Sequence, residues 1–165
     1  MGELWDVYNS KREKIGKVIE RGKDWLGKDE YHLVVFGWIF DKDKNLLITR
    51  RDPKKPFGLM WECTGGSVTI GEDTLQGIQR EIREETGLEL DKSSFKLIGT
   101  EIENNIIVDV YISVLDKIDI SKVKLQENET VEAKIVSLEE FKNMMKNEQV
   151  APNVSECYER HLKEL

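Results

Sequence analysis

The chain has 165 residues, 39% hydrophobic and 35% charged, with a formal net charge of −7. Apolar runs recur along its whole length, which fits one domain with a sizeable core and excludes global disorder. The acidic balance excludes long nucleic acid as a partner but leaves room for a small phosphorylated ligand, which needs only local positive charge.

Residues 4–8 alternate as a short strand, 9–14 form a polar turn, and 15–20 return as its hairpin partner. Residues 21–30 read as a loop carrying Trp25 and Leu26. Residues 1–30 are therefore expected to form a hairpin appendage, a candidate surface for a homodimer, in front of a main domain over 31–165. Residues 31–40 are almost continuously apolar, as in a strand covered on both faces. A charged turn over 41–45 leads to a strand over 46–49. Arg50, Arg51, Lys54 and Lys55 follow, interleaved with Pro53 and Pro56. Because proline cannot donate to a ladder, these four cations are expected on a loop leaving the sheet. An ordinary basic surface loop and a clamp for a diphosphate both fit them.

Residues 65–90 organise the rest. A glycine pair opens a loop, Asp73 and Gln76 have capping-box spacing, and Gly87 stands where a left-handed C-cap ends a helix. Leu75, Ile78 and Ile82 give that helix its buried stripe. On another stripe Glu81, Glu84 and Glu85 stand at i, i+3 and i+4, so their carboxylates leave nearly one face. Arg80 alone does not neutralise three acids. A hard divalent cation would, since Mg²⁺ takes oxygen ligands and bridges carboxylates to phosphates.

Beyond the helix, 95–103 and 106–115 read as antiparallel strands joined near Asn104 and Asn105. Asp109 interrupts the second. It either lines a cleft with Ile107, Tyr111 and Ser113 or is satisfied by backbone or a lysine. Residues 116–128 are polar loop and 131–136 a strand. Ser137 and Glu140 cap a helix with a Leu138, Phe141, Met145 stripe. Pro152 and Asn153 start a last helix burying Val154, Cys157, Tyr158, His161 and Leu162. His161 fits a partly buried or interface histidine better than a ligand. Cys63 and Cys157 are the only cysteines, which makes no disulfide framework or zinc spacing and points to a reducing cytoplasm. The start lacks a basic segment followed by an apolar one, so no signal peptide is expected. The longest apolar run, 33–40, is too short to span a bilayer, so no membrane is expected as a partner.

Gly66, Glu72, Arg80, Glu81, Ile82, Glu84, Glu85, Gly87 and Leu88 together resemble the Nudix box at every defined position. A solvated acidic helix face is the usual reason for a glutamate cluster, but it does not explain glycines at both ends. The resemblance implies an α/β mixed-sheet fold of the Nudix α/β/α sandwich type. It also implies hydrolysis of a diphosphate linkage in a nucleoside diphosphate derivative or related small metabolite, with Mg²⁺ or Mn²⁺ as cofactor. Metal ligands are implied at Glu81, Glu84 and Glu85, helped by the Gly65 carbonyl. Glu84 fits ligand or general base equally. Arg80 is implied as the orienting partner of the acids and Glu72 as a brace between loop and helix. An additional acid outside the box is expected at Glu129, with Glu103 and Glu127 behind it.

The front half, including Tyr31, His32, Leu33, Trp38, residues 46–51, Lys54, Lys55 and Trp61, also resembles isopentenyl diphosphate isomerase, a Nudix-fold enzyme that uses a cysteine. Here Gly65 stands in that cysteine's place, Cys63 is out of register, and Ser67 and Asn105 replace a histidine and a glutamate of its metal site. The box is intact. A hydrolase is therefore the expected chemistry, with an isomerase-like enzyme and a non-catalytic nucleotide-binding module as alternatives.

Overall fold

A computed structural model describes residues 2–164. Strands β1 (Leu4–Tyr8) and β2 (Lys14–Glu20) form an antiparallel hairpin that is a sheet of its own. The main sheet has seven strands among the described residues. These are β3 (His32–Asp41), β4 (Asn45–Arg51), β5 (Trp61–Glu62), β6 (Thr64–Ser67), β7 (Phe95–Glu103), β8 (Ile106–Leu115) and β9 (Thr130–Ser137). Their order is β5-β4-β3-β8-β7, with β6 added to β3 and β9 to β4. β3 and β8 run parallel over ten register pairs from His32↔Ile106 to Asp41↔Leu115, and the other pairs are antiparallel, so the sheet is mixed.

β3 is apolar throughout because both of its faces are covered. Trp38 and Phe40 pack with Phe141 of α2 (Leu138–Lys146), with Val154 and Tyr158 of α3 (Pro152–His161) and with Leu162 just beyond it. Leu33, Val35 and Ile39 pack with Ile78 and Ile82 of α1 (Thr74–Thr86). Helices thus cover both faces, giving an α/β/α sandwich. Gly37 lets α1 settle closely, since a Cβ there would lie 2.5 Å from the Ile78 side chain.

The signals at the ends of α1 act locally. Asp73 accepts from the Gln76 backbone at 2.7 Å while Gln76 accepts from the Asp73 backbone at 2.9 Å, a reciprocal capping box. Gly87 has φ of 71° and donates to the Arg83 carbonyl. In α2 the buried methionine is Met144, with Met145 only partly buried, so the apolar stripe is displaced by one position. β4 continues through Arg51, whose N–H donates to the Met60 carbonyl at 3.0 Å. Arg50 and Arg51 therefore lie on a strand and point to opposite faces, and the loop begins only at Asp52. The prolines at 53 and 56 stand beyond the ladder and do not shorten it. The two short strands β5 and β6 have no counterpart among the elements expected from sequence.

Asp109 does not line the cavity described below. It is buried at 1% exposure and is satisfied by an arginine, not by backbone or lysine. Arg12, from the turn of the hairpin, donates to both carboxylate oxygens at 2.7 Å, Thr74 donates at 2.6 Å and Thr100 at 2.7 Å. Burial alone would push the carboxyl up, but these hydrogen bonds outweigh it and hold Asp109 below the ordinary carboxylate range. The hairpin is tied down further by the Tyr8↔Tyr31 bridge, by Ile70 N–H on the Leu4 carbonyl and by Gly71 N–H on Asp6.

Removing one partner of a fully buried ion pair costs about 3–5 kcal/mol. Arg12 is itself 37% exposed and the threonines still donate to Asp109, so Arg12→Ala should cost about 2 kcal/mol, read from the urea midpoint. A depressed carboxylate stabilises the fold above its unfolded pKa of about 3.9 and loses that effect as pH falls through its folded value. The gap between wild type and Arg12→Ala should therefore be full at neutral pH and narrow in acid.

Candidate active site

The box residues meet at a cavity of about 400 Å³ that crosses the sheet from β4 and β5 to β7 and α3. Val34, Phe36 and Val108 form part of its floor, and Arg51, Lys55, Glu62, Glu81, Glu84 and Glu85 line one end. This volume lies in the range of small-molecule sites.

Glycine geometry delivers the acids. A Cβ on Gly66 would lie 2.4 Å from the Glu81 carboxyl, so the side chain from α1 rests directly against the backbone of β6. A Cβ on Gly65 would meet the Val35 carbonyl and the Phe36 ring at 2.6 Å. Arg80 organises what surrounds Glu81. It donates to Glu72 at 2.9 Å, Glu81 at 2.8 Å, Glu84 at 3.1 Å and the Ser67 carbonyl at 2.9 Å. Burial works to lower the guanidinium's pKa, but Glu72 and Glu81 raise it overall. Glu72 also accepts from the Thr69 backbone at 3.1 Å, which links the loop to the helix.

Three acids here are pushed up by burial. Glu85 is raised well above its ordinary value, first by burial and then by Glu62 and Glu81. Glu62 is raised by burial against the opposing charge of Arg51, and Glu81 by burial against Arg80. Glu85 Oε2 is buried with no hydrogen-bond partner among the described residues. Among those residues no three acids are already gathered as a cation-binding group, and Glu81 and Glu84 each give an oxygen to Arg80. Oxygen-only donors, mutual repulsion and an orphaned buried carboxylate oxygen are the chemistry that suits a hard divalent cation.

Of the four cations expected to bind phosphate, two face the cavity. Arg51 pairs with Glu62 and Lys55 with Glu129. Burial lowers the Lys55 pKa, with Arg51 adding to the effect. Arg50 and Lys54 lie outside the cavity lining. Arg50 donates to the Leu59 carbonyl at 2.8 Å and sits 5.8 Å from the Trp61 ring, while Lys54 is exposed. Glu129 and Glu103 line the cavity and Glu127 does not. At the far end Glu101 accepts from Arg160 at 2.5 Å and lies 2.5 Å from His161 Nε2, beside Asn153 and Glu156.

The NUDIX domain family profile matches residues 30–158. The chain belongs to the Nudix family. It is accordingly a pyrophosphohydrolase by type. An uncharacterized Nudix hydrolase of Listeria monocytogenes is 31% identical, over 91% of this chain and 89% of that protein. Nudix hydrolase 3 of Arabidopsis thaliana is also 31% identical over 90% of this chain, which spans 21% of the longer plant protein. The crystal structure of DR0079 from Deinococcus radiodurans superimposes with a TM-score of 0.79 at 22% identity, over 98% of this chain and 100% of that one, and shares the fold.

The resemblance of the front half to an isomerase is not matched by a reactive cysteine. Cys63 lines the cavity wall but is 2% exposed within the hydrophobic core, and burial pushes its thiol well up. His32 stacks on Trp5 at 4.1 Å, outside the cavity lining, and Asn105 donates to the carbonyls of Gly27 and Glu30.

Sequence reasoning did not single out Glu62, Glu101, Arg160, Glu3 or Arg21, all of which line this Nudix cavity. Glu62 carried a usable signal, an acid inside the apolar stretch Trp61–Cys63. The others come together only through the tertiary fold. Gly66 and Gly65 should separate function from folding. In Gly66→Ala the flexible Glu81 carboxyl yields, so melting should stay near wild type while turnover falls at least about tenfold, because a displaced group costs rate steeply. In Gly65→Ala the obstacle includes backbone, so the thermal midpoint itself should drop.

Proposed function

We propose that this Nudix enzyme hydrolyses the diphosphate linkage of a nucleoside diphosphate derivative or related small metabolite, with water as nucleophile and Mg²⁺ or Mn²⁺ as cofactor. The observation that carries this reading is Glu85, a buried carboxylate with an unpartnered oxygen beside Glu62 and Glu81, in the cavity that Arg51 and Lys55 also line. Glu81, Glu84 and Glu85, with the Gly65 carbonyl and Glu129, are the groups that would hold the cation. Such a cation supplies positive charge that polarises phosphoryl oxygens and makes water a better nucleophile.

The chain's own residues do the rest. Arg51 and Lys55 are held by Glu62 and Glu129 before substrate arrives, so their cost of ordering on binding is small. They grip the phosphate oxygens, Arg51 through a planar fork and Lys55 as a point charge. Arg80 orients Glu81 and Glu84. Glu84, 40% exposed, serves as ligand or as general base toward water. At the far end Asn153, Glu156, Glu101 and Arg160 offer hydrogen bonds to hydroxyl groups, which supports a ribose- or sugar-bearing substrate. The N-terminal hairpin is an appendage to a catalytic domain of 31–165 and a surface for a homodimer. Two free cysteines fit a cytoplasmic setting, and no helix among the described residues is long and apolar enough to cross a membrane.

Phosphorus NMR of the protein with Mg²⁺ and pooled diphosphates, isopentenyl diphosphate included, tests this reading. Metal-dependent monophosphate or phosphate signals are expected. Isopentenyl diphosphate converted to a new, unbroken diphosphate would mean isomerase chemistry, and thermal stabilisation without any product would mean a binding module. Glu85→Gln should lower Mg²⁺-dependent turnover by at least about a hundredfold with the fold intact, since it removes one ligand charge at constant shape. Cys63→Ala should leave turnover within about twofold, because a buried protonated thiol takes no part. Wild-type turnover in Glu85→Gln would sink the ligand assignment.

A further inference from the structure

We propose that Arg21, which lies outside the matched family region in the N-terminal hairpin, is a substrate-binding residue that grips a phosphate oxygen in the diphosphate cavity. The proposal rests on the diphosphate reading of that cavity and adds a residue that neither the Nudix box nor the basic loop supplies. Arg21 and Glu3 both line the cavity, although the family match begins at residue 30.

The arginine is built into place from several sides. Its backbone N–H donates to the Glu3 carbonyl at 2.9 Å, and its Nη1 donates to Glu3 Oε2 at 3.0 Å. The other oxygen of Glu3 accepts from Trp5 Nε1 at 2.8 Å, so this carboxylate is fixed at both ends. The guanidinium lies 5.9 Å from the centre of the Trp5 ring, and that ring stacks on His32 at 4.1 Å and 12°. Burial lowers the His32 pKa to about 4, so at neutral pH the ring beneath Trp5 carries no charge to compete with Arg21. The hairpin is in turn fixed to the body by Arg12 on Asp109 and by the Tyr8↔Tyr31 bridge.

Charge completes the case. Arg51 and Lys55 each have an acid from the cavity wall, Glu62 and Glu129. Arg21 is 59% exposed and, of the five N–H donors a guanidinium carries, gives one to Glu3 among the described residues. It also lies within electrostatic reach of Lys55. Cations that share a cavity repel one another until an anion sits between them. A rim ion pair with no ligand would contribute little and would not need the Trp5 and His32 stack. A planar fork that lines a diphosphate cavity and keeps donors to spare is suited to phosphate oxygens.

Calorimetric binding of methylenediphosphonate in the presence of Mg²⁺ tests this, with melting curves to verify folding. Arg21→Ala should bind about tenfold more weakly than wild type, in line with loss of one charge-assisted contact. Arg21→Lys should recover part of the loss. Lys23→Ala, which removes an exposed cation of the same hairpin end that pairs with Glu20, should bind as wild type. If Arg21→Ala binds like wild type while wild type binds the probe, the assignment of Arg21 falls and the diphosphate reading stands. If wild type neither binds the probe nor cleaves any diphosphate, the diphosphate reading falls and takes Arg21 with it.

Discussion

The contact on which the site depends is the Glu81 carboxyl resting against the bare backbone of Gly66. Helix α1 is fixed to one face of the sheet by Ile78 and Ile82, which press into the space left by Gly37. With the helix so placed, its acidic stripe reaches the cavity only across β6. Any side chain on β6 at residue 66 would occupy the volume of the carboxylate. The glycines of β6 and the glutamates of α1 are thus two halves of one geometric requirement, while Gly87 at the other end of the motif serves the separate need of a left-handed cap. The close approach of α1 to β3 through Gly37 and of Glu81 to β6 through Gly66 sets where the acids of α1 enter the cavity, since interiors this dense transmit small displacements.

Electrostatics explains why such a cluster persists in a protein that is acidic overall. Glu62, Glu81 and Glu85 are each disfavoured as anions by burial, and like charges close together add to that cost. Arg80 and Arg51 relieve Glu81 and Glu62, whereas Glu85 keeps an orphaned oxygen. The arrangement is therefore incomplete by charge, and the shortfall lies where a cation and a phosphate would meet. A net charge of −7 does not oppose this, because a small anion responds to the local field, and Arg51 and Lys55 stand in the same cavity as the acids that a cation would neutralise.

What could be read from the sequence follows the range of the interactions concerned. Helix α1 was legible to the residue at its caps because Asp73, Gln76 and Gly87 act within a few positions of one another. β3 was legible because a strand covered on both faces has no polar alternation to misread. The β7–β8 hairpin was legible from Asn104, which takes a φ of 50° at the turn. The glutamates were legible because helical spacing alone places them on one stripe. The basic segment was legible only in part. Its charge is plain, but β4 runs to Arg51, so alternation turns Arg50 toward Trp61 and Arg51 toward Glu62. Strands as short as β5 and β6 carry no periodicity to detect. Asp109 shows the general limit. Its partner Arg12 is 97 residues away, and no local pattern distinguishes a buried acid with a distant arginine from one that lines a cleft.

The two faces of β8 connect these observations. Successive side chains on a strand point to opposite sides. Val108 accordingly lines the cavity while Asp109 faces α1 and receives Arg12 and Thr74. The same strand thus forms the floor of the site and the anchor of the hairpin that reaches its rim. A hairpin of two strands is marginal by itself, and burying Asp109 is costly without a cation. Each compensates the other: the hairpin supplies the charge that Asp109 needs, and Asp109 fixes the hairpin firmly enough for its far end to present Arg21 in a defined place. Any substitution that loosens the Arg12 pair therefore acts on the site from the opposite face of the sheet, through the position of the hairpin and not through the glutamates of α1.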